Sequence, residues 1–171
     1  MTTPATVALS FERLVTAIGQ AHTELAAQAS RAVNASLTLR NWLIGLHIAE
    51  YEQQGTDRAQ YGDELIERLS GRLILAGVSR AEARELRRYR LFYLTYPQIR
   101  DSLTPELVKR LLPQSDTGNN RESPTPKLGV AASDVLTRLS FTHITELLQC
   151  DDATKRAFYE FECIRGNWSV R

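Results

Sequence analysis

The sequence predicts an all-α, multi-helix domain, and three observations carry that expectation. Apolar residues recur at spacings of three and four almost throughout. No segment shows the two-residue alternation of a half-buried strand, and glycine and proline fall between the periodic segments. A length of 171 residues suffices for one ordinary domain with its own core, and 43% hydrophobic with 24% charged residues is a globular composition.

Taken in order, Phe11, Leu14, Val15, Ile18, His22 and Leu25 form one stripe of an amphipathic helix, and Val33, Leu37, Ile44, Ile48 and Tyr51 form a second. Ala26, Ala27, Ala29 and Ala32 lie between without a breaker, so the pattern allows either one long helix or a tight helical pair, ending at Gly55. A shorter helix over about Tyr61 to Leu75 turns Leu65, Ile66, Leu69 and Leu73 inward, and Gly77 is placed to stop it in the left-handed conformation. Ser79-x-x-Glu82 reads as a capping box that opens the next helix, which runs to about Leu94 before Tyr96-Pro97 breaks it. Leu86, Tyr89 and Tyr93 are its inward stripe. Thr104-Pro105-Glu106 starts a short helix that ends by Pro113. Residues 113–129 are polar and rich in turn formers, a mobile linker or long loop between a helical block over 7–112 and a second over 130–171.

Several function classes are excluded or disfavoured by what these residues lack. No apolar run is long enough for a membrane span and no leader pattern opens the chain, so a cytoplasmic location is expected. Cys150 and Cys163 sit in no metal-ligand or disulfide pattern and read as small apolar residues. No cofactor is expected. A metal-dependent nuclease would need an (Asp/Glu)-x-Lys element, but Leu107, Thr125 and Ala153 stand two residues before Lys109, Lys127 and Lys155. Phosphate-loop, dinucleotide, zincin and nucleophile-elbow motifs are absent as well, so the chain is not expected to be an enzyme. His22 and His47 read as packed or partly exposed, and Asp151-Asp152 as a helix cap. Trp42 and Trp168 read as core anchors.

Charge is regional. Glu50 to Glu67 holds six acids and one base, whereas Arg72 to Arg100 holds seven arginines and two acids. Arg80, Arg84, Arg87 and Arg88 cluster on one side of the capped helix, with Arg90 pointing off it. The planar guanidinium fork suits phosphate oxygens and the guanine edge. A helix, the three-residue turn Gly77-Val78-Ser79 and a basic helix make a helix-turn-helix pattern, whose second helix enters the major groove. Ser79 and Arg80 would then lie at the positive end of the helix dipole. Arg80 and Arg84 are the candidates for base edges, Arg87 and Arg88 for phosphates. The plainer reading is a solvated face on which Glu82 and Glu85 pair with arginines one turn away.

Asn41-Trp42-Leu43-Ile44-Gly45, Tyr61-Gly62, Leu69-Ser70, Gly77-Val78-Ser79, Arg87, Phe92-Tyr93 and Tyr96-Pro97 resemble the N-terminal domain of the YhcG family. Leu139-Ser140-Phe141-Thr142-His143, Leu147-Leu148, Arg156-x-Phe158-Tyr159 and Trp168-Ser169-Val170-Arg171 continue the resemblance. It departs from the family at Val78, where Phe or Leu is common, and at Phe141-Thr142, where Trp-Ser is common. The segment from Leu139 is also similar, more loosely, to the helices after the helix-turn-helix of ParB-like partition proteins, in which the residue matching His143 packs and starts a helix.

The resemblance implies that this chain is the non-catalytic helical half of a protein whose second domain is PD-(D/E)XK nuclease-like. Its implied role is to dock on double-stranded DNA and position that nuclease domain, which lies outside this chain. The alternative is an oligomerisation or protein-interaction module of the same nuclease, in which the long N-terminal helices bundle and the arginines pair across an interface with the acids of Glu50 to Glu67. A homodimer would suit palindromic DNA.

Overall fold

The computed structural model describes residues 10–54, 63–112, 130–166 and 168, and among them every regular element is helical. The choice left open by the alanine-rich junction falls to one helix: α1 runs without a break over Phe11–Gln54, 44 residues. Then come α2 (Asp63–Leu75), α3 (Ala83–Thr95), a 3-10 turn (Pro97–Ser102), α4 (Pro105–Leu111), α5 (Ala132–Arg138), α6 (Phe141–Leu147) and α7 (Ala153–Gly166). The expected stop at Gly55 and the expected linker over 113–129 lie outside the described residues. No helix among the described residues is long and apolar enough to cross a membrane.

Local signals act where they are free to. Thr104 caps α4 by accepting from the Leu107 amide at 3.4 Å, with Pro105 in the first turn. Gly77 takes φ 78°, its amide reaches Ile74 O at 3.0 Å and the Val78 amide reaches Leu73 O at 2.9 Å, a Schellman closure of α2. Asp152 Oδ1 accepts from the amides of Thr154 and Lys155 at 2.7 and 3.3 Å, which holds its carboxyl below the usual range. Ser140 and His143 form a reciprocal capping box at the start of α6, so the helix-start role holds for His143.

The core is built on the C-terminal half of α1. Thr38, Asn41, Trp42, Gly45, Leu46, Ile48 and Ala49 are buried there. Trp42, fully buried, donates Nε1–H to Tyr96 O at 2.9 Å and meets Tyr93 edge-on at 5.3 Å. Leu46, Phe92, Ile99, Val135, Leu139 and Ile144 belong to the same cluster, and Ile48, Ile66, Ala81, Leu86 and Tyr89 form a second beside it. The helices α1 and α3 approach most closely at Gly45, where a Cβ would lie 1.9 Å from Tyr89 O. Buried Tyr96 donates its hydroxyl to Glu160 Oε1 at 2.5 Å, tying α7 to the core.

Two expectations are corrected. The stripe Phe11, Leu14, Val15, Ile18, His22 and Leu25 packs on nothing among the described residues: everything from residue 11 to 33 is exposed, because the body meets α1 only from about Asn34, whose side chain donates to Leu139 O at 3.2 Å. Trp168, read as a core anchor, is half exposed; its amide donates to Cys163 O at 3.2 Å and its carbonyl meets His143 Nε2 at 2.8 Å.

Candidate nucleic-acid interface

The candidate residues gather where α2 passes into α3, but by a route the local sequence did not indicate. After the Schellman closure the chain does not enter a helix at Ser79. Arg80 adopts φ 56°, a left-handed conformation unusual for a residue with a side chain. Ala81 is thereby carried into the second core cluster, fully buried, and α3 begins only at Ala83. The connection is therefore residues 76–82, not a three-residue turn, and the Ser79–Glu82 capping box does not form. Glu82 is the N-cap, with no side-chain hydrogen bond to the helix.

Tertiary contacts outweigh the local cap here. Tyr89, nearly fully buried, donates its hydroxyl to Arg80 O at 3.0 Å and holds the turn on the helix that follows it. Burial pushes the Tyr89 phenol up and Glu85 adds to it, while the Arg40 and Arg80 charges pull the other way, so the hydroxyl remains a donor at neutral pH. A buried aromatic with its hydroxyl satisfied and a buried Ala81 stabilise this turn by more than the roughly 1 kcal/mol of an N-cap. Such local strain persists only where surrounding contacts over-determine it.

Ser79 and Arg80 consequently do not sit on the positive end of the helix dipole. They lie a turn ahead of α3, whose first turn is occupied by Glu82 and Glu85. Ser79 instead accepts at Oγ from Arg40 Nη1 at 3.4 Å. Arg40 comes from α1 and is steadied by Asn41 Oδ1, which accepts from its Nε and Nη2 at 3.1 and 2.8 Å. Arg40 thus stands beside the turn. Nothing in the sequence pointed to it, because thirty-nine residues separate it from Ser79 and only the crossing of α1 over α3 brings the two together.

The arginines divide by their partners. Arg80 and Arg84 are exposed, and among the described residues neither has a carboxylate partner. Arg87 reaches Glu67 Oε1 on α2 at 3.1 Å, and both side chains are well exposed, so this pair is worth less than about 1 kcal/mol and is readily exchanged. Arg88 contacts Glu85 Oε1 at 2.5 Å in a half-buried pair one turn apart. Arg90 contacts Glu52 Oε2 at 2.6 Å on α1. Part of the opposite charge on neighbouring segments is therefore spent within the chain, by Glu52 and Glu67, while Arg80 at the turn and Arg84 in the first turn of α3 have no carboxylate partner among the described residues.

An open apolar groove also lies between α1 and α2, about 850 Å³ and lined by Ile44, Ile48, Leu65, Leu69 and Leu73 among others. His47, Tyr51, Glu67, Arg68 and Arg72 also line it.

The model of the DUF1016 N-terminal domain family matches residues 17–171. The chain is also 38% identical over 143 residues to the Escherichia coli (strain K12) protein named “Putative nuclease YhcG”, an alignment that covers 82% of this chain and 37% of that protein. The chain therefore spans little more than a third of that relative's length. No solved structure matches the chain.

Proposed function

We propose a function from the premise that the chain belongs to the DUF1016 N-terminal domain family: it is a non-catalytic module that binds double-stranded DNA and positions a PD-(D/E)XK nuclease domain lying outside it. The observation that carries this reading is the pair Arg80 and Arg84, exposed and, among the described residues, without carboxylate partners beside a turn that Tyr89 and Ala81 hold in one conformation. A fixed backbone lets guanidinium groups meet a polyanion with little further ordering cost. Ser79, Arg80 and Arg84 form the centre of the surface. Arg40 flanks it, and Arg87 joins by exchanging Glu67 for a phosphate. Arg88 contributes least, since Glu85 compensates its charge. A relative that carries the name of a nuclease supports a nucleic-acid partner for the module.

The test is fluorescence anisotropy of the chain with random duplex DNA at two salt concentrations. Affinity should fall steeply with salt, and replacing Arg80 or Arg84 by alanine should each lower the salt slope by about 1. If alanine variants of Arg80, Arg84, Arg87 and Arg88 all keep the wild-type slope, the site is wrong.

Assembly is the alternative role, and one observation favours it: the exposed apolar side of α1. It does not need the arginines, two of which already meet acids of the Glu50 to Glu67 segment within the chain.

A further inference from the structure

The N-terminal half of α1 extends from the body as a helix of 23 residues, 11–33, every one exposed, a rod about 34 Å long. Phe11, Leu14, Val15, Ile18, Leu25 and Val33 are between 42% and 75% exposed along one side of it. Taken against ordinary side-chain areas, that stripe presents roughly 600 Å² of apolar surface, at the top of what a soluble monomer leaves in one patch. Helices in proteins are stabilised chiefly by packing an amphipathic face, and among the described residues this face has nothing on it.

The spacing along the stripe is four, then three, repeated: Phe11, Val15, Ile18, His22, Leu25, Ala29, Ala32. That is the seam of a two-stranded coiled coil, with Val15, His22 and Ala29 at one core position of the heptad and Phe11, Ile18, Leu25 and Ala32 at the other. Size is distributed unevenly along it. The large residues lie towards the N-terminal end and the small ones towards Ala32, so two such helices interlock best when they run in opposite directions. The positions flanking the seam, Leu14, Gly19, Ala21, Ala26, Gln28 and Val33, are uncharged apart from Glu12. No charge pattern selects a foreign helix, and the segment's two acids and two bases (Glu12, Arg13, Glu24, Arg31) leave a second copy unrepelled. Two copies together would bury about 1,200 Å², the lower edge of a specific interface.

We infer that the stripe is the seam of an antiparallel dimer of this chain, in which Val15, Ile18 and His22 of one α1 face Ala32, Ala29 and Leu25 of the other. Opposed macrodipoles favour the same direction. The seam lies on a part of α1 that the proposed DNA surface does not use, so either assignment stands without the other.

Sedimentation equilibrium of the whole chain across micromolar concentrations tests it. The expected mass is twice 19.3 kDa at the upper end. Ile18→Lys with Leu25→Lys should return it to the single-chain value while near-ultraviolet circular dichroism of the buried Trp42 and Tyr89 environment is unchanged. His22→Leu, which removes a polar group from the seam, should tighten the dimer by about tenfold, the equivalent of 1.4 kcal/mol; a folding failure cannot mimic that gain. Direction is read with Cys150 and Cys163 replaced by serine: mixing V15C and A32C chains should give the mixed disulfide. A single-chain mass at every concentration, association untouched by the two lysines, or V15C and A32C each cross-linking to themselves in preference to one another would overturn the inference.

Discussion

Replacing Gly45 by alanine should force α1 and α3 apart. A Cβ built there lies 1.9 Å from Tyr89 O, 2.5 Å from Tyr89 C and 3.0 Å from Arg90 N, all backbone atoms of α3. An ordinary contact needs about 3.5 Å, so α3 must retreat by more than an ångström or bend. Neither is cheap, because Tyr89 and Phe92 on that helix are almost fully buried. Overpacking a filled core costs about 1–3 kcal/mol and more where backbone is the obstacle, so a loss of about 3 kcal/mol is expected. For a chain of this size that is a fall in Tm of roughly 10 °C. Urea denaturation followed by circular dichroism reads it, with Gly19→Ala as the control. Gly19 sits in the same helix with nothing within 4 Å, so alanine there should be neutral or stabilise by up to about 1 kcal/mol through helix propensity. Should Gly45→Ala lie within about 0.5 kcal/mol of wild type, the close approach of α1 and α3 is not what positions the arginine-bearing helix.

Three further outcomes are expected. Glu67→Gln removes the acid of the exposed Arg87–Glu67 pair and should raise affinity for random duplex DNA, by up to about fivefold at low salt since such pairs are worth at most about 1 kcal/mol; anisotropy titration checks it. Burial pushes the Glu160 carboxyl above its ordinary 4.5, against the pull of the Tyr96 hydrogen bond and Arg156. The folded chain then holds that proton more tightly than the unfolded one, so the stability it contributes is present below pH 4.5 and is lost as pH rises through the raised value. Against Glu160→Gln, wild type should accordingly gain relative stability as pH falls from neutral into that range, read as the difference between urea midpoints, and a pH-independent difference would refute it. Arg40→Ala should leave the unfolding free energy from urea denaturation within about 1 kcal/mol and lower DNA affinity and salt slope, because Arg40 stands beside Ser79 without being buried.

The helical segments and the family are legible in the amino-acid sequence. Period-3.6 apolar spacing fixes which segments are helical, since that spacing is a property of the backbone repeat. Gly77, Pro97, Thr104-Pro105 and Ser140 each act through groups within four residues, so their effect is legible locally. Three further features depend on long-range packing. The start of α3 moved from Ser79 to Ala83 because burying Ala81 and satisfying the Tyr89 hydroxyl outweigh a cap. The division of the arginines into compensated and available ones depends on acids brought near by packing: Glu67 and Glu52 lie twenty and thirty-eight residues from Arg87 and Arg90. Periodicity likewise marks Phe11 to Leu25 as one apolar face and is silent on what covers it. Amphipathicity is an intrinsic property of a helix, whereas burial is a relation between a helix and whatever lies against it.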